Sequence, residues 1–201
     1  NPLEIIDKYG IDELRYYLMK EVSHGSDGNI SLTNLEKCIN SDLANNYGNL
    51  CQRVFSFIKN NCENKVKKTK NLSKADKDLI SKSNNLTKEL RSFMDNQNLN
   101  GYIKSVIDIS FLTNKYINDE EPWKLKKNNL EKMNNILHIA VEQIAKISIL
   151  LNPIIPDSSL KIIKALNINM NKVNLSFLNG KNIIEDHIEI KDVGILFKKI
   201  S

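Results

Sequence analysis

The chain has 201 residues, 41% of them apolar and 26% charged, which is the make-up of a soluble globular protein long enough to bury a substantial core. No run of about 18 apolar residues occurs, so no membrane-spanning helix is expected. Cys38, Cys51 and Cys62 form no CxxC pair and no cluster with His24, His138 or His187, which argues against a disulfide framework or a metal site and for a reducing, cytoplasmic setting. A net charge of +5 and a pI near 9.0 admit a polyanionic partner without requiring one.

The start, Asn1-Pro2-Leu3-Glu4, has neither an initiator Met nor the basic and apolar regions of a signal peptide, and reads as the cut end of something longer. Residues 2–8 and 11–21 are expected as two short helices hinged at Gly10. Ser23–Asn29, with two glycines, reads as a loop. Ser31 caps the next helix, in which Leu35, Ile39, Leu43, Tyr47, Leu50, Val54 and Ile58 keep a helical period almost to Asn60. Cys62–Asn71, holding Lys65, Lys67, Lys68 and Lys70, reads as a solvated connector or a phosphate-contacting patch. Ser73-Lys74-Ala75-Asp76 has the spacing of a capping box and opens a helix through Phe93. Gly101 eases entry to another, lined by Tyr102, Ile103, Val106, Ile107, Ser110, Thr113 and Tyr116.

Pro122 fits the first turn of a short helix, where its missing N–H is no loss and its fixed φ directs the next side chain. That side chain is Trp123, the single tryptophan. It is either a plug at the end of a bundle or an aromatic platform for an unstacked base. Leu130–Leu151 is expected as a further bundle helix and Pro156–Leu166 as a short last one. His138 lies beside the apolar stripe with no partner motif and reads as a helix histidine satisfied within the fold. Asn179-Gly180 is a two-residue hairpin signal, Ile188–Val193 alternates like a strand, and the apolar segment Gly194–Phe197 must dock on the bundle or on a further domain.

Face arithmetic singles out two residues on the long helix. At about 100° per residue, Leu43, Tyr47, Leu50, Val54 and Ile58 fall within roughly 80° of one another, and Asn49 and Arg53 project more than about 90° from the middle of that stripe. They are therefore outside the core, one turn apart. They are either ordinary solvated residues or readers of base edges and phosphates, for which an amide and a guanidinium fork are suited. Nothing catalytic accompanies them: the chain lacks GxGxxG, P-loop, GxSxG and HExxH patterns. Asp119, Glu120 and Glu121 are contiguous, cannot share one helix face as an acid–base pair, and read as helix-start acids.

The stretches PLEIIDKYGIDELRYYL at 2–18, GSDG at 25–28, NSDLANNYGNL at 40–50 with Arg53, and Glu121-Pro122-Trp123 together resemble the carboxy-terminal part of bacterial methionyl-tRNA synthetases, over essentially the whole chain. The resemblance implies an all-α fold: a stem-contact segment at 1–30, an anticodon-binding helical bundle at 31–166, and a hairpin or extended tail at 167–201 that packs back. It implies that Asn49, Arg53 and Trp123, with Pro122 shaping the Trp position, read the CAU anticodon of initiator and elongator methionine tRNA. Lys124, Lys126 and Lys127 are candidate phosphate contacts. ATP and methionine would be bound by the family's own amino-terminal catalytic domain, so this part binds RNA, catalyses nothing and needs no cofactor or metal. The family ending Leu-Phe-Pro-Arg-Ile is matched only as Leu196-Phe197-Lys198-Lys199-Ile200, and no oligonucleotide-fold extension follows Ser201, which implies a monomer. Two other readings stay open: the anticodon domain of a class I synthetase for leucine, isoleucine, valine or cysteine, and a helical protein-interaction module.

Overall fold

In the computed structural model, which describes residues 1–21, 30–69, 71–178 and 182–200, the chain runs through helices α1 (Pro2–Tyr9), α2 (Ile11–Glu21), α3 (Leu32–Cys38), α4 (Asn49–Asn61), α5 (Lys74–Asp95), α6 (Leu99–Glu120), α7 (Pro122–Leu125), α8 (Leu130–Leu151) and α9 (Pro156–Ala165). A π-helical segment, Ile39–Gly48, joins α3 to α4, and strands β1 (Lys65–Lys67) and β2 (His187–Glu189) make a small antiparallel sheet. The expected all-helical bundle with a minor β element is what forms. The Ser23–Asn29 loop and the Asn179-Gly180 turn lie outside the described residues.

The bundle is built around α8. From Ile136 to Leu151 it is buried on nearly every side, as a helix that is apolar all round must be, and α4, α5, α6, α7 and α9 pack on it. Its few polar positions are bonded inward: Ser148 shares a 2.7 Å hydrogen bond with the Tyr47 hydroxyl, and Lys146 donates to Ser83 and Asn84. The capping box opening α5 forms as expected. Its Asp76 carboxylate also accepts from the Tyr116 hydroxyl and the Asn135 amide, at 2.7 Å each. One buried acid therefore caps α5 and ties it to α6 and α8. Gly101 serves a close approach, since a Cβ there would meet the Phe93 ring at 2.7 Å.

α3, the π segment and α4 are wound as one rod. Leu35, Ile39, Leu43 and Tyr47 follow at intervals of four, and in an α-helix each such step drifts about 40° around the axis. The π winding, bonded i→i+5 as in Asn49 N–H to Ala44 C=O, takes up the extra residue per turn. All four side chains stay buried.

α2 is fastened to the bundle by side chains. The Asp12 carboxylate accepts from the Ser158 N–H at 2.7 Å, capping α9, which has no side-chain cap of its own. Arg15 donates to the Ile154 and Pro153 carbonyls, Tyr16 donates to Asp42 at 2.7 Å, and Lys20 pairs with the same carboxylate at 2.9 Å.

Two expectations about the tail are corrected. The segment before residue 179 is a 3-10 turn, Leu175–Leu178, and β2 pairs instead with Lys65–Lys67, so the stretch read as a solvated connector carries a strand with Val66 buried. The alternation expected over Ile188–Val193 holds only from Ile188 to Lys191, the strand itself is His187–Glu189, and its partner lies in a segment whose lysine content masked it. Beyond β2 the tail runs antiparallel along the rod. The Ile190 N–H bonds Asn64 C=O, Asp192 pairs with Lys59, Phe197 packs on Tyr47, and Ile200 exchanges two 2.8 Å hydrogen bonds with the Asn40 amide.

Candidate nucleic-acid interface

α6 ends in residues that change the chain direction. Glu121 adopts the left-handed conformation (φ 43°, ψ 59°), and its N–H closes the last turn onto Ile117 C=O. Pro122 follows as the first residue of α7. Its ring is buried while Trp123 is 41% exposed, so the indole does not plug the bundle.

Trp123 meets the far side of the rod. The Arg53 guanidinium carbon lies 5.7 Å from the indole centroid, a contact worth roughly 0.5–1 kcal/mol at an exposed site. One guanidinium nitrogen donates to Asn118 Oδ1 at 2.7 Å. Arg53, Pro122 and Trp123 border an open cleft of about 340 Å³, floored by Val54, Phe57, Ile117 and Leu137. An apolar floor, an open aromatic face and a fork of donors at the rim suit a flat, π-faced group with a polar edge, as an unstacked base is.

Asn49 lies one helical turn before Arg53 on α4, half-buried, and it does not line the cleft. The structure thus joins Arg53, Trp123 and Pro122 and leaves Asn49 one turn from Arg53, outside the cleft. Of the candidate phosphate contacts, Lys124 is paired with Glu121 at 2.8 Å and Lys126 donates to Asn61 at 3.0 Å, pinning α7 to the end of α4. Lys127 is exposed.

The acids at 119–121 are not helix-start acids. α6 extends through Glu120, so Asp119 and Glu120 sit at the end where the helix dipole disfavours them. Each is offset by a lysine: Asp119 by Lys115, Glu120 by Lys132 and Glu121 by Lys124. Periodicity alone could not separate the end of α6 from the start of α7, because a single residue, Glu121, lies between them. Asn118 and the apolar floor were not anticipated either, since their only signal is proximity to a residue 65 positions away.

Comparison with known proteins places this geometry in a class. Residues 1–55 match the family model of class I tRNA synthetases (M), a match that covers α1, α2, α3, the π segment and the first half of α4. Residues 66–201 match the family model described as the anticodon binding domain of methionyl tRNA ligase. The chain is 35% identical to the methionine–tRNA ligase of Brucella suis over 172 residues, covering 86% of this chain and 33% of that protein. It is 32% identical to that of Rickettsia typhi over 204 residues, covering 100% and 40%. A crystal structure of apo Mycobacterium tuberculosis methionyl-tRNA synthetase superposes with a TM-score of 0.90 at 25% identity, over 100% of this chain and 41% of that one. The form bound by methionyl-adenylate gives 0.91 at 26% identity, over 98% and 40%. The chain belongs to the methionyl-tRNA ligase family, of which it is the anticodon-binding part, and it spans about 33–40% of the length of these curated relatives.

Proposed function

We propose that this chain reads the CAU anticodon of initiator and elongator methionine tRNA for an ATP-dependent methionine–tRNA ligase. ATP and methionine are handled by the amino-terminal catalytic portion that the relatives possess, and residues 1–30 join that portion to the reading bundle. The observation that carries the proposal is the convergence of Arg53 on an exposed Trp123 over an apolar-floored cleft. One anticodon base leaves the loop stack and lies on the Trp123 ring. Its polar edge meets donors from Arg53 and Asn49, and a wrong base leaves those groups unpaired at a loss of roughly 1–3 kcal/mol. Lys127 with Lys126 and Lys124, the last two after exchanging their present partners, adds sequence-blind phosphate attraction that weakens with salt. Three free thiols accord with work in the cytoplasm, and a monomer suffices for the reading site.

The test is titration of a methionine-tRNA anticodon stem-loop into the chain and its Trp123→Ala variant. Loss of the stacking surface lowers affinity by about tenfold or more, from roughly 1–3 kcal/mol per stacked base, with the helical circular-dichroism signal retained. A folded variant that binds as well as the parent refutes the platform.

A further inference from the structure

An arginine on an exposed helix turn ordinarily samples many rotamers, and ordering it on binding opposes association. Arg53 is already held. Its guanidinium donates to Asn118 Oδ1 at 2.7 Å while lying 5.7 Å from the indole centroid. Asn118 is itself exposed, in the last turn of α6, so its side chain has no role in the core. Between it and Trp123 stands Glu121, whose left-handed conformation ends α6 and turns the chain into α7. The six residues 118–123 therefore carry both the acceptor that fixes Arg53 and the ring that Arg53 faces.

We infer that Asn118 is a positioning residue for base recognition, holding the Arg53 guanidinium beside Trp123 in the unbound chain so that donors and stacking surface are set before RNA arrives. This rests on the anticodon reading for its purpose, but the positioning itself can be measured without RNA. Trp123 is the sole tryptophan, so acrylamide quenching of the 201-residue chain reports access to that ring alone. Arg53→Gln uncovers one side of the ring and raises the quenching constant. Asn118→Leu, which keeps the bulk and removes the acceptor, raises it toward the same value. The double variant adds nothing to Arg53→Gln, because two changes on one chain of contact are not additive. Asn118→Asp, which keeps an oxygen acceptor, restores the parental value.

With the methionine-anticodon stem-loop, Asn118→Leu lowers affinity about fivefold, the ordering of one long side chain, and has no effect in the Arg53→Gln background. Unchanged quenching in either single variant, or additive effects of the two, overturns the inference. Absence of stem-loop binding by the parent chain would instead overturn the anticodon reading, while the quenching data still decide what Asn118 does.

Discussion

Arg53 and Trp123 are ordinary surface residues taken singly; their chemistry arises from being 5.7 Å apart. If the guanidinium tests a base edge, Arg53→Gln loses discrimination more than affinity. Competition between cognate and first-base-mismatched stem-loops should then show the preference falling by about tenfold, from roughly 1–3 kcal/mol per specific polar pair; an unchanged preference would remove Arg53 from the reading. Lys146 illustrates a residue with a different task. Burial lowers its pKa from 10.5 to about 8, although its ammonium donates to Ser83 and Asn84. Between those two values the unfolded chain holds a proton that the folded chain has released. The residue's contribution to stability therefore rises with pH across that window, and its penalty is full below about pH 8. The stability difference between the parent and Lys146→Met, from urea unfolding, should shift in favour of the parent between about pH 8 and pH 10. A pH-independent difference would show that the lysine is not desolvated.

At the scale of elements, the π segment decides how the rod presents its faces. Gly48 closes it at a point where a Cβ would lie 2.8 Å from the Leu43 carbonyl oxygen and 3.3 Å from the Phe197 ring. Helix propensity alone favours Ala over Gly by about 1 kcal/mol, whereas the backbone contact forces the winding or the tail to shift. Gly48→Ala should therefore destabilise the chain by roughly 1–3 kcal/mol, as overpacking does, and Phe197→Leu should not rescue it, because the nearer obstacle is main chain. A neutral or stabilising Gly48→Ala in thermal unfolding would mean that the segment rewinds to an α-helix freely. The stripe from Leu35 to Ile58 was readable as one long helix, but its local change of pitch was not. Intervals of four serve an α-helix and a π-helix alike until three-dimensional neighbours choose.

Across the whole molecule, α2 is bound to the opposite end of the sequence. Asp12 caps α9 from 146 residues away, Arg15 takes the carbonyls ahead of α9, and Tyr16 and Lys20 converge on Asp42 in the rod. Asp12→Ala leaves the Ser158 N–H buried without its acceptor. It should lower stability by roughly 1–3 kcal/mol and speed amide exchange in the first turn of α9; protection there equal to the parent's would show that the cap is dispensable. The same closure gives Asp12, Arg15 and Tyr16 of the Pro2–Leu18 stretch their part, as joints from α2 to α9 and the rod.

Local rules acting on the sequence by itself determined which segments are helical, where α5 is capped, why Pro122 begins a turn, and that Asn49 and Arg53 face away from the core, because each depends on residues within a turn or two of one another. The tertiary structure alone decided that Arg53 reaches Trp123, that Asn118 holds it, that Lys65–Lys67 pairs with His187–Glu189, and that the tail lies along the rod. Those contacts join residues tens to more than a hundred positions apart, and their partners are selected by the shape of the assembled core, which no stretch of sequence carries by itself.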